Sequence, residues 1–185
     1  MRKIFLDCGA WNGCSTNFFR ANHPEGKDFE VFCFDPLPEN IESLNKLKDV
    51  TVIPKAVWWF PTTMRFYKGL SQSGSCYKEK RTGEVDPNDW IEVDAISLSD
   101  FIEGNFKRED YIICKLNIEG AEYKVIHQLH HKGVLSWIDK LYVQWHWDKV
   151  GVDKQLHEEI KNLVKWYPWN AMTNKVEEFK STLND

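Results

Sequence analysis

The chain has 185 residues, enough for one domain with a proper buried core and little left for a second. With 42% hydrophobic and 14% aromatic residues it excludes a disordered chain, and a net charge of −4 leaves no overall basic footprint for nucleic acid. No apolar run is long enough to span a bilayer, and residues 1–7 lack the apolar centre and cleavage site of a signal peptide, so a soluble, cytoplasmic protein is expected.

Short apolar runs alternate with helix-like segments along the chain. Residues 3–7 read as a strand, followed by a glycine-containing turn and a helix over about residues 14–22. Residues 30–35 form a dense apolar run ending in an acid. Pro36-Leu37-Pro38-Glu39 then opens a helix that turns Leu44 and Leu47 inward. A third strand is expected over residues 50–57. This β-α-β-α-β rhythm predicts a parallel sheet covered by helices. Residues 58–87 interrupt it, with a strand at residues 64–67 and a polar stretch over residues 69–83 that reads as a functional loop.

Regularity returns with a strand over residues 90–95 and a short helix over residues 97–103, capped by Ser97. A buried strand follows at residues 111–117, then a helix at 120–131 and a strand at 138–146. Residues 152–166 are amphipathic, with Leu156, Ile160 and Leu163 on one face, and residues 169–185 suit either edge strands or a helix. The five cysteines (Cys8, Cys14, Cys33, Cys76, Cys114) are odd in number, and none forms a C-x-x-C pair. Reduced cysteines, three of them in apolar strand-like runs, are expected.

In an open parallel sheet, ligands bind beyond the carboxyl ends of the strands. Those ends carry Asp7 with Gly9-Ala10-Trp11-Asn12-Gly13, then Asp35, Ala56, Asn117 with Glu119, and Gln144 with His146. Glycine permits close approach of backbone to a ligand, and the helix N-terminus after the turn favours an anionic group. Asp35, one strand over, suits both hydroxyls of a ribose. A dinucleotide fits less well. Trp11 stands where the G-x-G-x-x-G fingerprint needs its second glycine, and Asp7 would face a diphosphate unfavourably. Asp7 suits instead the ammonium of a methionine moiety, which favours S-adenosylmethionine.

The segments Phe5-Leu6-Asp7-Cys8-Gly9-Ala10, Phe32 to Asn40, Val52 to Val57, Ser73-Gly74-Ser75 and Lys115 to Glu122 are collinear. Through them the chain resembles the FkbM-type methyltransferases over roughly residues 3–146. The resemblance implies an α/β fold: a class I methyltransferase Rossmann-like three-layer sandwich, with a mostly parallel seven-stranded sheet in the order 3-2-1-4-5-7-6. It implies S-adenosylmethionine held by Asp7, Gly9, Asn12, Thr16, Asp35 and Ala56. Ala10, Gly13, Pro36 and Asn117, within or beside the same segments, complete the expected cofactor contacts. Asn117 and Gln144 stand where the family usually has aspartate and glutamate, so a divalent metal is possible but not supported, and no metal ligand is assigned.

Methyl transfer to an alcohol requires alignment of the acceptor and a proton acceptor. His146, with an ordinary pKa of about 6.5, is the first choice as base. Glu119 is the second, and Asn117 completes the catalytic set. Glu119, His146, Trp147, Ser73 and Ser75 are the expected acceptor contacts, with Trp147 able to lie against the apolar face of a sugar. Glu122 and Lys124 read as surface or capping residues. Lys115, the residue type a ribose 2′-O-methyltransferase would use, stands on a buried-looking strand in a chain whose acidic balance disfavours RNA. The expected activity is O-methylation of a sugar or glycan hydroxyl by one domain spanning residues 1–185. Two alternatives are O-methylation of another small metabolite, with or without a metal, and a catalytically silent cofactor-binding module.

Overall fold

The apolar run that opens the chain becomes β1 (Lys3–Cys8), buried from Ile4 to Cys8 as a parallel strand covered on both faces has to be. The computed structural model describes residues 1–69 and 74–168. After β1 come α1 (Cys14–Asn22), β2 (Glu30–Phe34), α2 (Pro38–Leu44) and β3 (Val50–Ile53). Pro38 sits in the first turn of α2, where its missing N–H costs nothing. Three short strands follow: β4 (Ala56–Trp58), β5 (Thr62–Tyr67) and β6 (Trp90–Ser97). Then come α3 (Leu98–Asn105), β7 (Tyr111–Leu116), α4 (Glu122–His131), β8 (Ile138–Val143), α5 (Trp147–Val150), α6 (Lys154–Asn162) and β9 (Tyr167–Pro168).

The main sheet has six strands in the order β3-β2-β1-β7-β8-β9, with every neighbouring pair parallel. Alternation along β1 sends Phe5 into one core with Phe19, Leu44 and Ile113. It sends Ile4 and Leu6 into the other, with Leu98, Ile102 and Ile126. Helices therefore cover both faces, and the layers number three. Counting main-sheet strands alone, the first five positions follow the expected 3-2-1-4-5. The remainder of the seven-strand order is not seen among the described residues, where the two-residue β9 pairs directly with β8. Residues 169–185 lie outside the described residues.

Three expectations are corrected. The run over residues 50–57 is not one strand. Pro54 cannot donate to a ladder, and the Lys55 N–H turns back to the Ile53 carbonyl at 2.8 Å. Beyond that turn β4 leaves the main sheet and pairs in a second one, ordered β4-β6-β5. The strand placed at residues 138–146 stops at Val143. The amphipathic segment at 152–166 is shorter as a helix. Asp153 caps α6 by accepting from the N–H groups of Gln155 and Leu156 at 2.8 and 3.3 Å. Its buried face is His157 and Ile160, while Leu156 and Leu163 are exposed. Ser97 caps α3 as expected, accepting from the Asp100 N–H. All five cysteines are free, with Cys8, Cys33 and Cys114 buried. Among the described residues no helix is long and apolar enough to cross a membrane.

Candidate active site

The ends of β1, β2 and β7 meet at Gly9. Its backbone is left-handed (φ 76°), and a Cβ there would fall on the Asn117 carbonyl oxygen. The Gly9 and Ala10 N–H groups both donate to the Phe34 carbonyl at 3.0 Å, and the Asn117 N–H donates to the Cys8 carbonyl at 3.1 Å. Trp11 is also left-handed (φ 51°), and its N–H donates to Asp35 Oδ2 at 2.9 Å. The turn is held from beneath by a buried ion pair. Lys115 Nζ lies 3.0 Å from Asp7 Oδ1 and donates to the Gly9 carbonyl at 2.7 Å. Asp7 Oδ2 accepts from Ser15 and Thr16 at 2.6 and 2.7 Å.

A cleft opens above this junction, at the carboxyl ends of the parallel strands where ligands bind in such sheets. One side carries Gly9, Trp11, Asp35, Pro36 and Asn40, the other Trp58, Met64, Phe66 and Cys76 of the second sheet and its following segment, with Asn117 and Glu119 also in the wall. Asp35 accepts from Trp11 N, Leu37 N and Asn40 Nδ2. Three of roughly four acceptor positions on the carboxylate are thus used, leaving room for about one more donor. Burial raises the Asp35 pKa against those three hydrogen bonds. Burial also pushes the Cys76 thiol to about 12, so it meets a ligand as a small protonated group. Asn117 Oδ1 is buried and has no hydrogen-bond partner, an acceptor in the wall that a ligand donor would satisfy.

Beside the cleft four charged side chains alternate in sign: Lys80, Glu119, His146 and Glu122. Lys80 Nζ lies 2.6 Å from Glu119 Oε2, and His146 Nε2 lies 3.4 Å from Glu119 Oε1, an ion-pair rather than a hydrogen-bond contact. On its other side His146 Nδ1 is 2.9 Å from Glu122 Oε1. Glu122 also accepts from the N–H groups of Ile118 and Gly120, both at 2.9 Å, which folds the left-handed Glu119-Gly120 turn (φ 54° and 112°) beneath α4. Burial of His146 opposes its protonation, yet the carboxylates of Glu122 and Glu119 outweigh it and raise its pKa to about 9. Burial likewise opposes ionisation of Glu119, but His146 and Lys80 lower its pKa to about 2.

Of the residues expected at the site, the cleft brings together Gly9, Asp35, Pro36, Ala56, Asn117 and Glu119. Others stand elsewhere. Asp7 is fully buried and neutralised by Lys115, so it does not reach the cleft to meet an ammonium. Thr16 is buried on Asp7, Asn12 is exposed and caps the Cys14 N–H, and Ala10 and Gly13 pack within the turn. These residues build the turn rather than line the cleft. His146 is 0% exposed and does not line the cleft, and the carboxylates of Glu122 and Glu119 raise its pKa to about 9. Trp147 stacks on His157 at 5.3 Å because the strand ends early and α5 carries it away. Ser75 is buried and donates to the Glu119 carbonyl at 2.7 Å, and Ser73 lies outside the described residues. Glu122 is fully buried rather than at the surface. Nothing in the sequence marks Trp58, Met64 and Phe66, which pairing of the second sheet brings here, or Lys80, carried by the segment after β5. Lys115 within an apolar strand was a visible sign, and its partner is Asp7.

Among the described residues no group of three or more His, Cys, Asp or Glu side chains could hold a metal ion. A family model, the methyltransferase FkbM domain, matches residues 7–167. No curated protein and no solved structure matches the chain.

Proposed function

Because the chain belongs to the FkbM methyltransferase family, we propose that it is an S-adenosylmethionine-dependent O-methyltransferase acting on a hydroxyl of a sugar or glycan. The observation that carries this reading is the meeting of Asp35, the unpartnered Asn117 Oδ1 and the ionised Glu119 in one cleft at the carboxyl ends of the parallel strands. Asp35 has capacity for a ribose hydroxyl. Asn117 Oδ1 would accept from the ammonium of the methionine part, the role expected of Asp7 from sequence. Trp11, in place of glycine, puts a bulky side chain in the cleft wall at the turn, which disfavours the close approach of a diphosphate. When bound, S-adenosylmethionine supplies an electrophilic methyl carbon and leaves as a neutral thioether.

Glu119 accepts the hydrogen bond of the acceptor hydroxyl and orients its oxygen. As the new C–O bond forms, that oxygen becomes an oxonium far more acidic than a carboxylic acid, so even a weakly basic carboxylate takes its proton. His146 and Lys80, at 3.4 and 2.6 Å from its carboxylate, hold Glu119 in place. Trp58 and Phe66 in the cleft wall are consistent with the sugar reading, since aromatic side chains pack on the apolar side of a pyranose.

Thermal stabilisation by S-adenosylhomocysteine but not by NAD tests the cofactor, and the reverse outcome would sink the proposal. In the same assay Asp35→Ala is expected to weaken S-adenosylhomocysteine by roughly tenfold or more. Methyl transfer to a panel of deoxy-sugar glycosides and glycans tests the acceptor.

The pH dependence distinguishes the two bases considered. With His146 raised to about 9, kcat/KM should show no inflection near its ordinary value and should fall only as the imidazolium loses its proton above about 9. The stability His146 contributes is present in full below its ordinary pKa of about 6.5 and is lost as pH rises through the folded value. A profile rising through about 6.5 would restore His146 as the base.

A further inference from the structure

Lys80 has a side chain only 1% exposed, a state lysine almost never reaches unless paired. Its segment is strapped across the β7–α4 turn. Tyr67 and Ser75 exchange two backbone hydrogen bonds that tie the strap to β5, and the Arg81 N–H donates to the Lys149 carbonyl at 2.7 Å, tying it to α5. The strap grips Glu119 twice, through the Ser75 hydroxyl on its carbonyl and through Lys80 on its carboxylate.

The charges also divide unequally. His146 is closer to Glu122 (2.9 Å) than to Glu119 (3.4 Å), and only the first contact has hydrogen-bond geometry. The imidazolium is thus shared between two carboxylates, whereas Lys80 makes the shorter cation contact on Glu119, 2.6 Å against 3.4 Å. Glu119 keeps a left-handed backbone, which a non-glycine residue holds only where its surroundings enforce it. A buried lysine, a double tether and a strained turn converge on one carboxylate.

We propose that Lys80 is a positioning residue, fixing the Glu119 carboxylate at the cleft wall as the docking point for the acceptor hydroxyl. The proposal rests on the reading of Glu119 given above. It assigns to residues 74–81 a part in acceptor recognition, although Lys80 itself touches neither acceptor nor cofactor.

The test uses the full chain labelled with ¹³C at glutamate carboxyl carbons, the Glu119 signal being the one absent from Glu119→Gln. In Lys80→Gln that signal is expected to titrate at least about one pH unit higher than in the wild type. The S-adenosylhomocysteine thermal shift should be retained, and kcat/KM for a methyl rhamnoside should fall roughly tenfold to a hundredfold. Lys80→Arg, which keeps the cation, should recover most of the loss, and Lys80→Gln should cost nothing further in a Glu119→Gln background. An unmoved titration, or an additive loss in the double variant, overturns the role of Lys80 alone. Full methyl transfer by Glu119→Gln overturns the reading of Glu119 and the proposal with it. If Lys80→Gln does not fold, Lys80→Arg decides: a wild-type titration supports the proposal and a raised one overturns it.

Discussion

Glu119→Gln is expected to lower kcat by roughly 10²- to 10⁴-fold, the range associated with loss of a positioned proton acceptor, while leaving cofactor binding intact. The amide is nearly isosteric and can still accept a hydrogen bond through its oxygen, so the cleft keeps its shape. What it cannot do is take the proton that the acceptor oxygen releases when methylated. The substitution also leaves Lys80 facing a neutral group and removes one of the two carboxylates that raise the His146 pKa. A modest fall in Tm should therefore accompany the kinetic loss. The thermal shift with S-adenosylhomocysteine separates the two effects, because its main contacts are expected on the Asp35 side. Wild-type turnover in this variant would remove Glu119 from the chemistry.

Lys115→Met should have the largest effect on stability. Lys115 and Asp7 are both 0% exposed, and the lysine is the cation that balances the aspartate beneath the turn. Removing one member of a buried pair leaves an uncompensated charge, which costs about 3–5 kcal/mol. For a chain of this size that corresponds to a Tm lower by roughly 6–20 °C. The Gly9 carbonyl also loses its donor, so cofactor affinity should drop with stability. Combining Lys115→Met with Asp7→Asn should restore much of the Tm, since the amide oxygen can still accept from Ser15 and Thr16. An unchanged Tm in the single variant would show that Asp7 carries no charge needing balance.

The parallel half of the fold was legible because its signals are local: apolar runs of strand length, Pro38 in the first turn of α2, Ser97 at the cap of α3. The same is true of Gly9, Asp35, Asn117 and Glu119, which follow strands directly. What escaped the sequence depends on distant partners. Asp7 reads as a cofactor ligand until Lys115, 108 residues away, is found against it. His146 reads as a base because its ordinary pKa suits one. Its two carboxylates come from the turn before α4 and from α4 itself, and only tertiary packing brings them against the imidazole. Trp147 reads as a cleft residue if the strand ends at His146, whereas the chain turns after Val143 and stacks it on His157.

The break at Pro54 and Lys55 has a consequence for how such a protein can change. Two sheets that share no strand pairing frame the cleft: the parallel one ends in Asp35 and Asn117, and the small one presents Trp58, Met64 and Phe66. A substitution in β5 that reshapes the acceptor wall leaves the hydrogen-bond ladder under Asp35 and Asn117 untouched. On the reading proposed above, new acceptor preferences can therefore arise by repainting one wall while the contacts to the methyl donor on the other stay in place.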